Sequence, residues 1–200
     1  MSQDQKREAI VLAAEKRFAH FTVSKTTMAE IAADLGISKP LLYYYFPDKL
    51  NLYAAVLGHI IERHQKEYAS ELLSEIDAVK NIMRYLKKRK DFIIQYFNII
   101  EFAQTAVNRS PDEVKSIFGI AKTSEFNAVL AIINKARKNG QVKTKGPRRL
   151  AQLFLDCLEG LRRVFFLKKG ITVFPEKEQF EALYDQEKEF AVIFFNGLKS

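Results

Sequence analysis

Apolar residues recur at helical spacing along almost the whole chain. They return about every three or four residues, and no segment shows the apolar and polar alternation typical of a strand. Only eight glycines and five prolines interrupt the chain of 200 residues. The pattern predicts an all-α fold of about nine helices, near residues 4–20, 27–34, 38–45, 48–73, 75–88, 91–108, 111–138, 147–168 and 176–198.

The two C-terminal helices carry more apolar surface than one subunit can cover. Helix 147–168 is apolar over much of its surface, and helix 176–198 repeats large apolar residues at helical spacing. Such an excess is typical of an oligomer interface, and two long helices of this kind can pair with their mates in a four-helix bundle. Leu155 and Phe194 are the candidate interface residues.

A short segment near the N-terminus encodes two helices around a glycine turn. Thr27 can cap the first helix, and Glu30 can complete a capping box with it. Gly36 supplies the left-handed residue that ends this helix. Ser38 can cap the second helix, and Pro40 is tolerated in its first turn. This order is the pattern of a DNA-binding helix-turn-helix.

The second helix of this motif is rich in tyrosine. Tyr43 and Tyr44 lie about 100° apart on a helix, so both can face DNA. Their rings can pack on thymine methyl groups, and Lys39 can reach guanine acceptors. Leu42 and Phe46 form the core side. The alternative, that the tyrosines are ordinary helix packing, is disfavoured by the motif around them.

The ordered N-terminal segments resemble the TetR family of bacterial transcriptional repressors over roughly residues 6–57. The matching residues are Arg7, Ile10, Ala13, Ala14 and Phe18, then Thr26, Thr27, Met28, Ile31 and Ala32, then Gly36, Ile37, Ser38, Lys39, Leu42, Tyr43, Tyr44, Tyr45, Phe46, Lys49 and Leu52. The chain departs from the family pattern at Pro40, where many members carry glycine. It also departs at Thr22-Val23, where many carry glycine before an aromatic residue.

The resemblance implies a three-helix DNA-binding head over residues 1–49 and a helical body for effector binding and dimerisation over residues 50–200. Thr27 and Lys49 stand at helix starts, where exposed N–H groups, a hydroxyl or an ammonium bind phosphate. The alternative is a plain cap and a solvated lysine. The predicted DNA-binding residues are Lys25, Thr27, Ser38, Lys39, Pro40, Tyr43, Tyr44, Tyr45 and Lys49.

An effector pocket is predicted in the body. Helix 91–108 is apolar over most of its circumference and places Gln104 on the dry side, where a polar side chain needs a partner. An apolar cavity with few polar groups suits a small molecule, and Arg162 and Arg163 hint at an anionic group on it. The alternative is a packed core with one hydrogen-bonded glutamine. The candidate lining residues are Phe97, Gln104, Phe118, Phe126, Phe154 and Leu158.

Charge adds little to the DNA-binding argument. The formal net charge is +8 and the pI about 9.4. The first 50 residues nevertheless carry seven basic and six acidic side chains, so most of the excess lies downstream. The prediction of DNA binding therefore rests on the motif.

Several other classes of protein find no support in the sequence. No uninterrupted apolar run approaches the roughly 18 residues of a membrane span, and no signal peptide opens the chain. The single cysteine, Cys157, cannot form an internal disulfide and is expected to be a small buried side chain. These features favour the cytoplasm. His59 and His64 lack the spacing of a zinc pair and no catalytic motif occurs, so we expect no metal, no cofactor and no enzyme.

Together these features predict a dimeric, ligand-responsive repressor. It would bind a palindromic operator in double-stranded DNA and be released by a small, largely apolar effector. The alternative is a helix-turn-helix protein whose body docks a protein partner. An enclosed cavity in the body would favour the effector, and an exposed apolar groove would favour the partner.

Overall fold

The computed structural model describes residues 2–69, 72–105, 112–168 and 176–199. Within these ranges it contains nine helices and no strand, which confirms the predicted all-α fold. The helices are α1 (Gln3–Phe21), α2 (Met28–Asp34), α3 (Lys39–Tyr45), α4 (Lys49–Ala69), α5 (Ala78–Gln95), α6 (Phe97–Thr105), α7 (Asp112–Lys138), α8 (Pro147–Lys168) and α9 (Lys177–Gly197).

The chain divides into two compact units. The first unit comprises residues 1–63 and 95–120, and the second comprises residues 64–94 and 121–200. Helices α1 to α3 therefore belong to the first unit, whereas α8 and α9 belong to the second. The boundary predicted after residue 49 separates a DNA-binding head from a body by function, and it stays a prediction.

The first unit buries one apolar face from each of its N-terminal helices. Phe18 of α1, Ile31 of α2 and Leu42 of α3 are all fully buried, as is Leu52 of α4. Helices this short gain most of their stability from such packing rather than from helix propensity. Because Leu42 points into the core, the opposite side of α3 is left in solvent.

The second unit has an aromatic core between α8 and α9. The ring of Phe154 packs against the rings of Phe190, Phe194 and Phe195, with centroids 5.5, 5.2 and 5.8 Å away. The first contact is stacked and the other two are edge-to-face, and such pairs stabilise beyond simple burial. The same core continues to buried residues of α5 and α7, including Ile82, Leu86, Val129 and Ile132.

The break between α5 and α6 lies at a different place from the predicted one. The sequence pattern predicted helices over 75–88 and 91–108, whereas α5 continues to Gln95 and α6 begins at Phe97. That prediction was wrong because Lys87–Lys90 consists of good helix formers, with no glycine or proline to end the helix. A single continuous helix over 91–108 therefore does not exist.

One helix has the length and composition of a membrane span. Over Val114–Lys138, helix α7 has a mean hydropathy of 1.3 in its most apolar window. The core helix of a water-soluble domain passes the same test, so one such helix is weak evidence for a membrane span.

Candidate functional site

The turn between α2 and α3 is built as the sequence predicts. Gly36 has a φ of +62°, and the N–H of Ile37 donates to the carbonyl of Ala32 over 3.0 Å. This is the Schellman ending of a helix, which favours glycine at the left-handed position. The hydroxyl of Ser38 then accepts the N–H of Leu41 over 3.3 Å and starts α3.

The start of α2 is a capping box that is tied to α1. The Thr27 hydroxyl accepts the N–H of Glu30 over 3.3 Å, and the Glu30 carboxylate accepts the N–H and O–H of Thr27, each over 2.8 Å. These bonds lower the pKa of Glu30. Arg17 of α1 makes a bidentate pair with Asp34, and this hydrogen bonding lowers the pKa of Asp34. Both ends of α2 are thereby fixed.

Helix α3 presents a mixed aromatic and basic face to solvent. Tyr43 is 47% and Tyr44 is 70% exposed, and Lys39 and Pro40 are also exposed. The Tyr44 hydroxyl lies 3.4 Å from the amide nitrogen of Gln3, which can donate to it. Tyr45 is half-buried, with its ring edge-on to that of Tyr44. The predicted division, with Tyr43 and Tyr44 outside and Leu42 and Phe46 inside, is confirmed.

The side chain of Lys49 is engaged within the head. Its ammonium donates to the carbonyls of Val23, Ser24 and Thr26 over 3.0, 3.4 and 3.1 Å. All three carbonyls belong to the loop between α1 and α2, which carries the exposed Lys25. Lys49 therefore positions this loop, and its predicted phosphate contact stays a prediction.

The loop between α1 and α2 contains an unusual backbone conformation. Thr22 has a φ of +70° and a ψ of 158°, and it is the one residue other than glycine with a positive φ in the described part of the chain. A β-branched residue is strained there. This is the position where the resemblance expects glycine, so the sequence departs from the pattern while the backbone keeps the conformation glycine favours.

The two residues predicted for the dimer interface pack against the core of the second unit. Leu155 and Phe194 are partly buried there. The large exposed apolar residues of these helices are Leu153, Val164 and Leu167 on α8 and Val192 and Ile193 on α9. Sequence reasoning did not single them out.

Five exposed residues of α8, all of them uncharged, form one continuous stripe. Leu153, Cys157, Gly160, Val164 and Leu167 follow one another at alternating steps of four and three residues, and all five are exposed. This spacing was readable in the sequence as a helix-pairing pattern. The expectation that Cys157 is buried was wrong, because it lies on this stripe rather than on the core face.

The six residues predicted to line an effector pocket do not all belong to one unit. The first unit holds Phe97 and Phe118, and the second holds Phe126, Phe154 and Leu158. The side chain of Gln104 lies outside the described residues. Phe154 and Leu158 are fully buried in the aromatic core. The pocket at these residues stays a prediction.

Helices α2 and α3 form a capped two-helix motif, and the second helix turns an aromatic and basic face to solvent. This motif is typical of helix-turn-helix transcriptional regulators. Residues 10–56 match the family model of bacterial regulatory proteins of the tetR family. The chain belongs to the TetR family, as a DNA-binding transcriptional regulator.

Similar proteins share the head in sequence and the whole chain in fold. The HTH-type transcriptional repressor BepR of Brucella suis is 40% identical over 52 residues, 26% of this chain and 25% of BepR. The HTH-type transcriptional activator FasR of Mycolicibacterium smegmatis is 30% identical over 93 residues, 46% of this chain and 42% of FasR. The chain thus matches less than half the length of these curated relatives.

A solved structure extends the likeness to the body. The crystal structure of a transcriptional regulator from Cytophaga hutchinsonii superposes with a TM-score of 0.83 and 31% identity, over 98% of this chain and 99% of that chain. The second unit therefore has the fold of a known transcriptional regulator. Since one curated relative is a repressor and another an activator, the direction of control is a separate question.

Proposed function

We propose that this protein is a dimeric repressor that reads a palindromic operator through α3 and is released by a small molecule bound in the body. The observation that carries the proposal is the exposed face of α3, where Lys39, Tyr43 and Tyr44 face solvent while Leu42 is buried. A helix held in this way can enter the major groove of DNA. As an operator-binding protein, the chain would act in the cytoplasm.

The DNA-binding residues of the head would make two kinds of contact with DNA, one with base edges and one with phosphates. Tyr43 and Lys39 would read base edges, because their side chains extend from the exposed face of α3. Lys25 and Thr27 would contact phosphates beside the groove. Ser38, Pro40 and Tyr45 would shape the entry and the packing of α3 against DNA.

Dimerisation would use the exposed stripe of α8 together with Ile193 of α9. Ile193 is 66% exposed and Leu167 is 73% exposed, so a monomer would leave large apolar side chains in water. A two-fold interface pairs a surface with itself, which suits one continuous stripe. A dimer would bring two heads to a palindromic operator, whose half-sites lie about 34–36 Å apart when one DNA turn separates them.

Release would follow from a difference in ligand affinity between two states of the dimer. A small molecule that binds better when the two heads are mismatched to the operator shifts the population toward that state. The alternative, a protein partner docked on the body, would use the same exposed stripe of α8. The mass of the purified chain separates the two, because self-pairing doubles it without another protein.

Substitution of Tyr43 tests the base-reading assignment. On a DNA site selected by the native chain, Tyr43→Ala should weaken binding by about 1–3 kcal/mol and relax specificity at one base-pair position. The measurement is a gel-shift titration against the site and its single-base variants, at two salt concentrations. Phe21→Ala is the matched control, since it removes another half-exposed aromatic ring from the head. Unchanged specificity in Tyr43→Ala would refute the assignment.

A further inference from the structure

Positive charge is concentrated in one segment of the second unit. Residues 126–155 contain seven of the chain's 32 basic residues and none of its 24 acidic residues, so they account for +7 of the formal net charge of +8. The segment covers the C-terminal part of α7, the loop that follows and the first part of α8. Its basic residues are Lys135, Arg137, Lys138, Lys143, Lys145, Arg148 and Arg149.

Three of these basic residues line one surface recess beside the loop between α7 and α8. The recess has a volume of about 530 Å³, and its lining residues are Arg137, Gly140, Val142, Lys143, Thr144 and Lys145. None of these described lining residues is acidic. Arg137, Lys143 and Lys145 are all exposed, so their charged groups are accessible to a partner. We call this surface the basic recess.

Hydrogen bonds to other helices hold the loop that forms the basic recess. Gly140 has a φ of +72°, the left-handed conformation that ends a helix and favours glycine. The side chain of Gln141 accepts the N–H of Ala78, at the start of α5, over 3.1 Å. The N–H of Lys143 donates to the carbonyl of Leu198, directly after α9, over 3.4 Å. The backbone that carries the basic side chains is therefore fixed to the ends of two other helices.

The cations of the basic recess have no carboxylate partner. Arg137, Lys143 and Lys145 make no ion pair with any residue that the structure describes. Several other basic side chains of the second unit are paired: Arg84 with Glu75, Lys90 with Glu181, Arg162 with Glu187 and Arg163 with Glu159. The two arginines that the sequence connected with an anionic ligand are thus already paired, whereas those of the recess are available.

Local helix stability explains only part of this charge. A cation stabilises the C-terminal end of a helix, which suits Arg137 in the last turn of α7. Lys143 and Lys145 lie beyond that turn and gain nothing from it. Arg149 lies in the first turn of α8, where a cation opposes the helix dipole and no acidic residue balances it. Since unpaired like charges also repel one another, their concentration here favours a role in binding an anion.

The residue types around the recess favour the backbone of double-stranded DNA over other polyanions. Lysine, arginine and threonine side chains are typical phosphate contacts in protein–DNA complexes, and all three types line the recess. Binding of single strands uses exposed aromatic rings, and stable attachment to a membrane needs an apolar anchor beside the basic residues. Residues 134–149 contain no aromatic residue and expose no large apolar side chain.

We propose that the basic recess binds the phosphate backbone of double-stranded DNA without reading its sequence. Arg137, Lys143 and Lys145 each neutralise a phosphate and release condensed counterions. This contact adds to the affinity of the chain for any duplex, and it lies in the second unit, whereas α3 lies in the first. The inference goes beyond the proposed function, because it requires neither an operator nor a bound effector.

The salt dependence of binding to a duplex of arbitrary sequence tests the proposal. Fluorescence anisotropy gives the affinity of the full chain over a series of KCl concentrations. Lys143→Gln with Lys145→Gln should reduce the slope of log K against log [KCl] by about 1.8, because each phosphate contact contributes about 0.9. Lys87→Gln with Lys122→Gln removes the same charge from exposed positions of the second unit and should leave the slope unchanged. Equal slopes for the native chain and the recess variant would overturn the inference.

Two further measurements locate the contact and identify the class of polyanion. Amide hydrogen exchange over residues 137–149 should slow when the duplex is added to the native chain, but not to the recess variant. The loss of affinity in that variant should be larger for the duplex than for a single strand or for phosphatidylglycerol vesicles. Unchanged exchange, or a larger loss for either of the other polyanions, would overturn the inference. Operator selection by the native chain is measured separately, so failure here is distinguishable from failure of base reading by α3.

Discussion

Thr22 holds a backbone conformation that glycine favours, although it carries a β-branched side chain. Its φ of +70° lies where a side chain is crowded, and its carbonyl accepts the hydroxyl of the buried Thr26 over 2.8 Å. The bond from Thr26 helps to hold the strained conformation. The loop that results presents the carbonyls to which Lys49 donates.

Thr22→Gly should therefore stabilise the protein. Relief of about 1–3 kcal/mol of backbone strain should exceed the roughly 0.5–1 kcal/mol that glycine costs by freeing the unfolded chain. The expected gain is about 1 kcal/mol in the free energy of unfolding, measured in urea. Thr22→Ala is the control, because it keeps the positive φ and should not gain stability. A Thr22→Gly protein less stable than the native chain would contradict the strain argument.

Some residue contacts could be predicted from the sequence and others could not. The caps at Thr27 and Ser38 and the glycine at Gly36 follow from local rules, because their partners lie within a few residues. The three carbonyl partners of Lys49 lie more than 20 residues away, in a loop with an unexpected backbone conformation. No local pattern could indicate that contact.

At the scale of helices, α1, α4 and α6 are joined by polar contacts in the first unit. Arg63 of α4 donates to Glu15 of α1 over 2.6 Å and also contacts the hydroxyl of Tyr96, the residue between α5 and α6. This hydrogen bonding raises the pKa of Arg63. Asn98 of α6 donates to the carbonyl of Ala19 over 2.6 Å. Helix α6 is thus tied to α1 within the first unit.

Loss of the guanidinium at Arg63 should weaken the polar contacts that join α1, α4 and α6. Arg63→Gln leaves the mostly buried Glu15 carboxylate without its charged partner, and it should cost about 1–3 kcal/mol of stability. Thermal unfolding measures the change. Lys16→Gln makes the same charge change at an exposed position of α1 and should be nearly neutral. Equal stability changes in the two variants would show that the Arg63 contacts do not contribute to stability beyond a general effect of charge.

Periodicity predicted the number and type of the helices, but not every contact between them. The break between α5 and α6 lies at Tyr96, where no glycine or proline indicates the end of a helix. The basic residues that precede it favour a continuing helix. The ion pairs of Arg89 with Glu125 and of Arg162 with Glu187 were also missed. Their members lie on four helices far apart in sequence, and each one alone resembles a solvated charge.

For the whole molecule, the exposed stripe of α8 predicts a dimer. Leu153→Glu places a charge on the stripe of both subunits, and burial of two unpaired carboxylates should weaken dimerisation by about a hundredfold or more. Light scattering over a concentration series measures the mass. Asn127→Glu adds the same charge at an exposed position of α7 and should leave the dimer intact. A native chain that is monomeric at micromolar concentration would remove the interface.

The central claim is that a pair of α3 helices reads a palindromic operator. The most direct measurement is selection of binding sites from a random DNA library by the native chain, followed by sequencing. The account predicts enrichment of an inverted repeat whose half-sites lie about 34–36 Å apart, or a multiple of one DNA turn. Enrichment of a single half-site without a repeat, or no enrichment at all, would contradict it.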